Sequence, residues 1–166
     1  MIKREAQNTL ICLAKQFSVV AITGPRQSGK TTLAQTTFPN KEYVSFDDEQ
    51  KRTIAKQNPH DFLLAYPNGA IIDEAQKVPE IFDAIKIIVD KNFQAGKFIL
   101  TGSSQFRLKE NISDSLAGRI GLINLLPLSI NELKNQNLLP NNIYQFAING
   151  TYPVLYNKLR NINNND

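Results

Sequence analysis

The chain has 166 residues, of which 42% are hydrophobic and 20% are charged, and its formal net charge is +4. These proportions are typical of one globular domain with its own core, and the mild positive charge permits an anionic partner without requiring one. The sequence holds one cysteine, Cys12, so no internal disulfide forms, and we expect a cytoplasmic protein. Its apolar stretches are shorter than the roughly 20 residues of a membrane-spanning helix, and we expect no membrane contact.

The N-terminal part of the chain combines a helix, a strand and a phosphate-binding pattern. Apolar residues recur every three or four positions over residues 2–16, which predicts a helix, and an apolar strand is predicted over residues 17–23. The pattern G-x-x-x-x-G-K-[ST] follows, complete at every fixed position, and leads into a predicted helix over residues 31–37. The predicted phosphate-binding residues are Gly24, Pro25, Arg26, Gln27, Ser28, Gly29, Lys30, Thr31 and Thr32.

This order of elements suits the chemistry of phosphate binding. The glycines let backbone N–H groups close around phosphate oxygens, and the helix N-terminus directs partial positive charge at the anion. Lys30 is expected to reach the β- and γ-phosphates, and the Thr31 hydroxyl to ligate Mg²⁺. For Arg26, one interpretation is contact with a phosphate or a nearby acidic residue, and a solvated loop position is the simpler one.

Strands and helices alternate along the rest of the chain. Further strands are predicted over residues 43–46, 70–73, 97–101 and 120–125. Helices are predicted from a cap at Asp47 or Asp48 through Ile54, over residues 61–66, over residues 79–93 with Gly96 closing the helix, and from Ser129 through Lys134. Because most of these strands are apolar throughout, the sequence predicts an α/β fold, with a mostly parallel five-stranded sheet between two helical layers.

Three segments are expected in the domain organisation. Residues 1–17 form an N-terminal helix that packs on the core, and residues 18–140 form the phosphate-binding domain. Residues 141–166 form a junction with a weak pattern and a polar, low-complexity tail, which cannot bury a core.

Two acidic residues at the end of the third strand supply the second chemical signal. Asp73 is expected to hold Mg²⁺, and Glu74 to orient and polarise an attacking water. A solvated acidic pair at a strand end is the alternative, and the complete phosphate loop upstream favours the functional interpretation.

Three further residues are weaker candidates. Ser103 or Ser104, after the fourth strand, would contact the attacking water or the γ-phosphate as a sensor, or would belong to a plain strand-to-helix turn. Arg119 would stabilise transition-state charge on a neighbouring subunit's nucleotide, or would form a surface salt bridge, which is favoured on the residues alone.

Taken together, these segments resemble one family, the prokaryotic AAA-type ATPases that pair an N-terminal P-loop domain with a C-terminal domain of unknown function. The resemblance covers residues 2 to 156 and is specific as an ordered set. It is carried by residues 22–33, 43–48, 71–79, 98–106, 115–119, 126–129 and 132–133.

The resemblance implies an AAA-like core with ATP and Mg²⁺ as ligands. It also supports Ser103 or Ser104 as a sensor and Arg119 as an arginine finger within a homo-oligomer. The chain departs from the family after residues 150–155, which are similar to the junction into the second domain. We therefore expect a truncated protein without the lid and C-terminal domain, with exposed apolar side chains near Tyr152 and Tyr156.

The leading hypothesis is an ATP-binding domain that hydrolyses ATP with Mg²⁺, coupled to an unknown process. The alternative is a truncated nucleotide-binding remnant without turnover. A DNA helicase fragment is less favoured, since the Asp-Glu-x-x sequence at residues 73–76 is shared with helicases but 166 residues cannot hold their second motor domain.

Overall fold

Five strands form one parallel sheet, in the order β2-β3-β4-β1-β5. The fold is seen in a computed structural model that describes residues 2–103, 115–140 and 142–156. The strands are β1 (Val19–Thr23), β2 (Glu42–Ser45), β3 (Ala70–Asp73), β4 (Phe98–Gly102) and β5 (Ile120–Asn124). This sheet confirms the predicted fold class.

Helices connect the strands and cover both faces of the sheet. They are α1 (Ala6–Gln16), α2 (Lys30–Thr37), α3 (Glu49–Gln57), α4 (Pro59–Leu64), α5 (Glu80–Lys91), α6 (Ile130–Lys134) and α7 (Ile143–Asn149), with a 3₁₀ turn at Ala75–Lys77. Among the helices of the described ranges, none is long and apolar enough to cross a membrane.

The sheet separates two apolar cores because neighbouring residues of a strand point to opposite faces. On one face, side chains from alternate strand positions pack against α3, α4 and α5, as Ile72 and Phe82 do. On the other face, Val20 and Ile71 pack against α1 and α2 through Leu10 and Leu33. The result is the predicted α/β/α sandwich.

The first predicted helix is wrong at its N-terminal end. Helix α1 begins at Ala6, not at residue 2. Ile2 fits the helical apolar spacing, but it is buried in a separate cluster with Leu128, Leu133 and Tyr156. Its side chain therefore packs in this separate cluster and does not belong to the apolar face of the helix.

The predicted role of Gly96 is also wrong. Helix α5 ends at Lys91, with Asn92 as its C-cap. Gly96 has φ +61°, its N–H donates to the carbonyl oxygen of Phe17 at 2.8 Å, and an added Cβ would lie 2.9 Å from the carbonyl oxygen of Ala14. This glycine permits close approach to the end of α1.

The segment after Pro140 is more structured than its weak pattern suggests. It contains α7, and the Leu128 N–H donates to the carbonyl oxygen of Thr151 at 2.8 Å. Tyr152, Val154 and Leu155 are exposed, which agrees with the expected exposed apolar side chains in this segment. Tyr156 itself is fully buried, and its hydroxyl donates to the carbonyl oxygen of Gly150 at 2.7 Å. The predicted polar tail, residues 161–166, lies outside the described residues.

Candidate functional site

The candidate site lies at the carboxyl edge of the sheet, where three strands deliver the predicted residues. The phosphate-binding pattern follows β1, the Asp73-Glu74 pair ends β3, and Ser103 follows β4. Because all the strands are parallel and β4 lies between β1 and β3, their carboxyl ends meet at one edge. Ligands of open α/β sheets bind at such edges.

The loop after β1 has backbone geometry that favours glycine. Gly24 has φ +146°, and an added Cβ would lie 2.1 Å from the carbonyl oxygen of Leu125. Gly29 has φ +92° and directly precedes α2. Gln27 also has a positive φ, of 61°, which is uncommon for a residue with a side chain. The loop therefore holds a specific, tightly packed shape.

Lys30 lies over the loop that precedes it. Its side chain is buried, and Nζ donates to the carbonyl oxygens of Gly24 at 3.1 Å and Pro25 at 2.7 Å. Burial lowers the pKa of Lys30, while the charges of Glu74 and Asp73 act to raise it. The ammonium group thus lies within the electrostatic reach of both predicted acidic residues.

The Asp73 carboxylate binds side chains from α2, β2 and β4. Oδ1 accepts a hydrogen bond from Thr31 Oγ1 at 2.9 Å and another from Thr101 Oγ1. Oδ2 accepts from the Tyr43 hydroxyl at 3.0 Å. Burial, followed by the charge of Asp73, raises the pKa of Tyr43 to about 12, which keeps this hydroxyl a donor at neutral pH.

The Thr31 and Asp73 oxygens fit a magnesium ion. Mg²⁺ prefers oxygen ligands, and it is typically held by one or two protein groups together with waters and phosphate oxygens. The 2.9 Å between Thr31 Oγ1 and Asp73 Oδ1 brings both predicted metal ligands to one place. Within the described residues there is no cluster of three or more His, Cys, Asp or Glu that would form an all-protein metal cage.

Glu74 is held by two neighbouring side chains. Its backbone is in the left-handed region, at φ 54° and ψ 41°. Oε2 accepts hydrogen bonds from Gln76 Nε2 and, at 3.3 Å, from Ser103 Oγ. Of the two predicted sensor residues, Ser103 therefore contacts Glu74, whereas Ser104 lies outside the described residues.

A cleft of 520 Å³ opens above the loop, and most of the predicted site residues line it. The residues that line it are Arg26, Gln27, Gly29, Lys30, Thr31, Thr32, Asp47, Glu74, Lys77, Ser103, Pro153 and Val154. The opposing walls include an ion pair between Lys77 and Asp47. Arg26 thus faces the cleft, as does the C-terminal segment through Pro153 and Val154.

A second, more apolar cavity of 200 Å³ adjoins the loop. It shares Gly29, Thr32 and Pro153 with the larger cleft. Its apolar walls come from residues far apart in sequence, including Ile2 and Leu128. The larger, more polar cleft and the smaller, more apolar cavity therefore adjoin at these residues.

Arg119 lies away from these groups. It immediately precedes β5, and its carbonyl oxygen accepts from the N–H of Val19 at the start of β1, so it lies at the amino edge of the sheet. Its guanidinium pairs with Asp90, with Nη2 to Oδ2 at 3.0 Å. This pair raises the pKa of Arg119 and lowers that of Asp90. The residue is thus not part of its own chain's cleft.

Sequence reasoning missed several residues that support the site. Tyr43 and Thr101 bind the Asp73 carboxylate, and Gln76 binds Glu74. Thr101 carries one available signal, because it is polar and lies near the end of an apolar strand, but its contact with Asp73 depends on strand order. Tyr43, near the start of β2, and Pro153, beside the cleft, have no comparable signal in the sequence.

Comparison with known sequences places the same stretch in one family. A sequence model of a family described as AAA domain matches residues 16–134. Two curated relatives are the uncharacterized proteins Mb2031c of Mycobacterium bovis and Rv2008c of Mycobacterium tuberculosis. Each is 33% identical over 132 residues, which is 79% of this chain. The match spans 30% of the length of these relatives.

Solved structures show a similar fold. The Walker-type ATPase PABY2304 of Pyrococcus abyssi aligns with a TM-score of 0.62 at 15% identity, over 94% of this chain and 66% of that chain. A signal transduction ATPase with numerous domains, PH0952 of Pyrococcus horikoshii, aligns with a TM-score of 0.60 at 16% identity, over 95% and 29%. A DNA replication initiation factor aligns at 0.52 and 18% identity, over 95% and 58%.

Proposed function

Because the chain belongs to the AAA domain family, we propose that it binds ATP with Mg²⁺ at the carboxyl edge of its sheet and hydrolyses the bond between the β- and γ-phosphates. The observation that carries the proposal is the contact between Thr31 and Asp73, at 2.9 Å. Thr31 lies at the start of α2, which follows β1, and Asp73 ends β3, a strand that is not a neighbour of β1 in the sheet. Each residue supplies an oxygen suited to Mg²⁺.

Each group at the edge has a distinct role in this proposal. The loop backbone from Gly24 to Thr32 holds the phosphates, and Lys30 moves from the loop carbonyls to the β- and γ-phosphate oxygens. Thr31 and Asp73 hold Mg²⁺, which when bound supplies charge neutralisation between these phosphates. Glu74 orients the attacking water and polarises it.

Ser103 supports Glu74 in this mechanism. Its hydroxyl lies 3.3 Å from Glu74 Oε2, within reach of the group that orients water. As phosphate enters the cleft, the hydroxyl can turn from the carboxylate to a γ-phosphate oxygen. This exchange would make Ser103 the sensor that the sequence predicts at position 103 or 104.

The nucleoside part of ATP is assigned to the apolar cavity beside the loop. The cavity shares Gly29 and Thr32 with the phosphate cleft, so one ligand can occupy both. Its apolar walls, which include Ile2 and Leu128, suit a flat base that is stacked away from water.

We assign Arg119 to its ion pair with Asp90 within one chain. A role on a neighbouring copy's nucleotide would require the guanidinium to exchange Asp90 for a phosphate. Such a role needs a homo-oligomer, so the rate of ATP hydrolysis per chain would rise with protein concentration in wild type but not in Arg119→Ala. Measuring both rates over a range of protein concentrations tests this role.

The test of the proposed function is the Glu74→Gln variant. It keeps the size of the side chain but removes the carboxylate that orients water, so ATP binding should be retained. Hydrolysis should fall by about 100-fold or more, the usual contribution of a general base. Steady-state phosphate release and ATP titration measure the two quantities separately.

The matched control is Glu80→Gln, an exposed acid at the start of α5 that does not line the cleft. It should hydrolyse ATP at the wild-type rate. Equal rates in wild type and Glu74→Gln would remove Glu74 from the mechanism. Absence of ATP binding by the wild-type chain would overturn the whole proposal.

A further inference from the structure

A buried arginine outside the phosphate-binding motif contacts the phosphate loop from behind. The side chain of Arg4 is 9% exposed, and it precedes α1. Its Nη1 donates to the carbonyl oxygen of Ser28 at 2.7 Å. Its Nη2 donates to the carbonyl oxygen of Leu126 at 2.6 Å and lies 3.4 Å from that of Pro127. One guanidinium therefore joins the N-terminal segment, the loop and the chain after β5.

Glu132 on α6 anchors this arginine. Arg4 Nε donates to Glu132 Oε1 at 2.9 Å, and the side chain of Glu132 is 4% exposed. The same carboxylate accepts from the backbone N–H groups of Glu5 at 2.7 Å and Ser129 at 2.9 Å. A buried charge pair whose remaining hydrogen-bonding positions are filled holds one geometry, and losing either partner leaves a buried charge unpaired.

The contact with Ser28 sets the direction of a peptide group in the loop. In a trans peptide the carbonyl of one residue and the N–H of the next point in opposite directions. Because the Ser28 carbonyl points to Arg4, the Gly29 N–H points away from Arg4, and Gly29 lines the cleft above the loop. An added Cβ on Gly29 would lie 3.4 Å from Arg4 Nη1, so the guanidinium lies directly behind this glycine.

We propose that Arg4, anchored by Glu132, is a positioning residue that orients the Ser28–Gly29 peptide for phosphate binding. This inference rests on the proposed function, since it requires that the loop binds nucleotide phosphates. Arg4 acts through the peptide and does not itself bind a phosphate. The forked geometry of the guanidinium matters, because a lysine ammonium cannot hold the same set of spread acceptors.

The test is Arg4→Lys in the full chain. The charge beside Glu132 is kept, but the contact with the Ser28 carbonyl is lost. Affinity for ADP should fall by roughly tenfold, the scale of one charge-assisted hydrogen bond. Arg4 also lines the apolar cavity assigned to the nucleoside, so adenosine, which has no phosphate, measures any loss in that cavity separately. Its affinity should stay within about twofold of wild type, because the proposed role of Arg4 acts on the phosphates. Calorimetric titration with ADP and ligand-observed NMR with adenosine measure the two affinities.

Arg52→Lys is the matched control. Arg52 Nη1 also donates to a backbone carbonyl oxygen, that of Phe46 at 3.0 Å, but Arg52 does not line the cleft. Its affinity for ADP should equal that of wild type. An equal loss in Arg52→Lys and Arg4→Lys would show a general effect of the substitution and would overturn the inference.

Three other outcomes also decide the question. Wild-type affinity for ADP in a folded Arg4→Lys chain overturns the inference and leaves the proposed function standing. Equal losses for ADP and adenosine place the effect in the nucleoside cavity and overturn it too. A wild-type chain that does not bind ADP overturns both proposals.

If Arg4→Lys does not fold, Glu132→Gln serves as the second variant. It removes the charge that anchors the Arg4 guanidinium but leaves Arg4 unsubstituted. ADP affinity should therefore fall, as in Arg4→Lys, while adenosine affinity stays unchanged. Unchanged ADP affinity in this variant overturns the inference. In a foldable double variant, the two losses should be less than additive, because both act through one contact.

Discussion

At the scale of single residues, Gly24 is a position where the loop tolerates no side chain. Gly24→Ala would place a Cβ 2.1 Å from the Leu125 carbonyl oxygen, on a backbone with φ +146°. We expect the free energy of unfolding to fall by about 2 kcal/mol or more, since both a clash and a strained backbone are introduced. Urea denaturation measures the loss, and ADP titration should show weaker binding.

Gly118→Ala separates the clash from the backbone strain. Gly118 has φ +75°, but an added Cβ there meets no atom within 4 Å among the described residues. Its cost should be limited to the positive φ, about 1 kcal/mol. Equal losses in the two variants would mean that the contact with Leu125 contributes nothing.

The residues proposed to bind phosphate are predictable from the sequence, whereas the residues that support them are not. Gly24, Lys30 and Thr31 occupy fixed positions of one local pattern, and the chemistry itself requires that spacing. Arg4 is separated in the sequence by 24 positions from Ser28, which it contacts in the loop, and by 128 positions from Glu132. Such contacts depend on how the whole chain folds, which local spacing does not encode.

At the scale of elements, the sequence predicts that either Asp47 or Asp48 is the N-cap of α3. The structure assigns it to Asp48, whose Oδ1 accepts from the N–H groups of Gln50 at 3.0 Å and Lys51 at 3.3 Å. Asp48→Ala should lower the free energy of unfolding by about 1 kcal/mol, the usual loss of such a cap. Chemical denaturation followed by circular dichroism measures this change.

Glu49→Ala is the comparison for the cap. It removes the same charge from the first turn of α3 but not the capping position, so it should cost less than 1 kcal/mol, in the range of about 0.3–1 kcal/mol for a charge near a helix end. A loss equal to that of Asp48→Ala would assign the effect to charge and not to the cap.

Predictions made from strong local patterns agree closely with the structure. The prediction for β3 has the observed bounds, and Ser129 begins α6 with a capping box that includes Glu132. Helix α7 is not predicted, because it lies in a stretch with weak apolar periodicity and two of its apolar side chains, Tyr144 and Ile148, are exposed. Periodicity identifies a helix only when one face is buried.

At the scale of the whole molecule, strand order decides how the site is assembled. Strand β4 lies between β1 and β3, so Thr31 and Asp73 meet across the end of a third strand. The alternation of apolar strands and helices predicts a parallel sheet, but strands with equally apolar patterns do not specify their order. The contribution of Thr101 on β4 could therefore be known only from the fold.

The packing of Tyr156 extends this site to the C-terminal segment. Tyr156 is fully buried with Ile2, Leu128 and Leu133, and Pro153 and Val154 line the cleft just before it. The C-terminal segment therefore adjoins the cleft proposed for nucleotide. A ligand that binds the folded state there should stabilise the segment as well as the loop.

Tyr156→Ala tests this connection. Removing a fully buried aromatic side chain should cost about 3–5 kcal/mol where the segment and the core unfold together. If the segment is released first, hydrogen exchange will show lost protection at residues 151–156 while β1 and β4 stay protected. In both cases ADP affinity should fall, because Pro153 and Val154 lose their fixed position beside the phosphates.

Tyr144→Ala, at a side chain that is 77% exposed, should change stability by no more than about 0.5 kcal/mol and leave ADP affinity unchanged. A Tyr156→Ala chain that binds ADP as tightly as this control would show that the C-terminal segment lies beside the cleft without contributing to it.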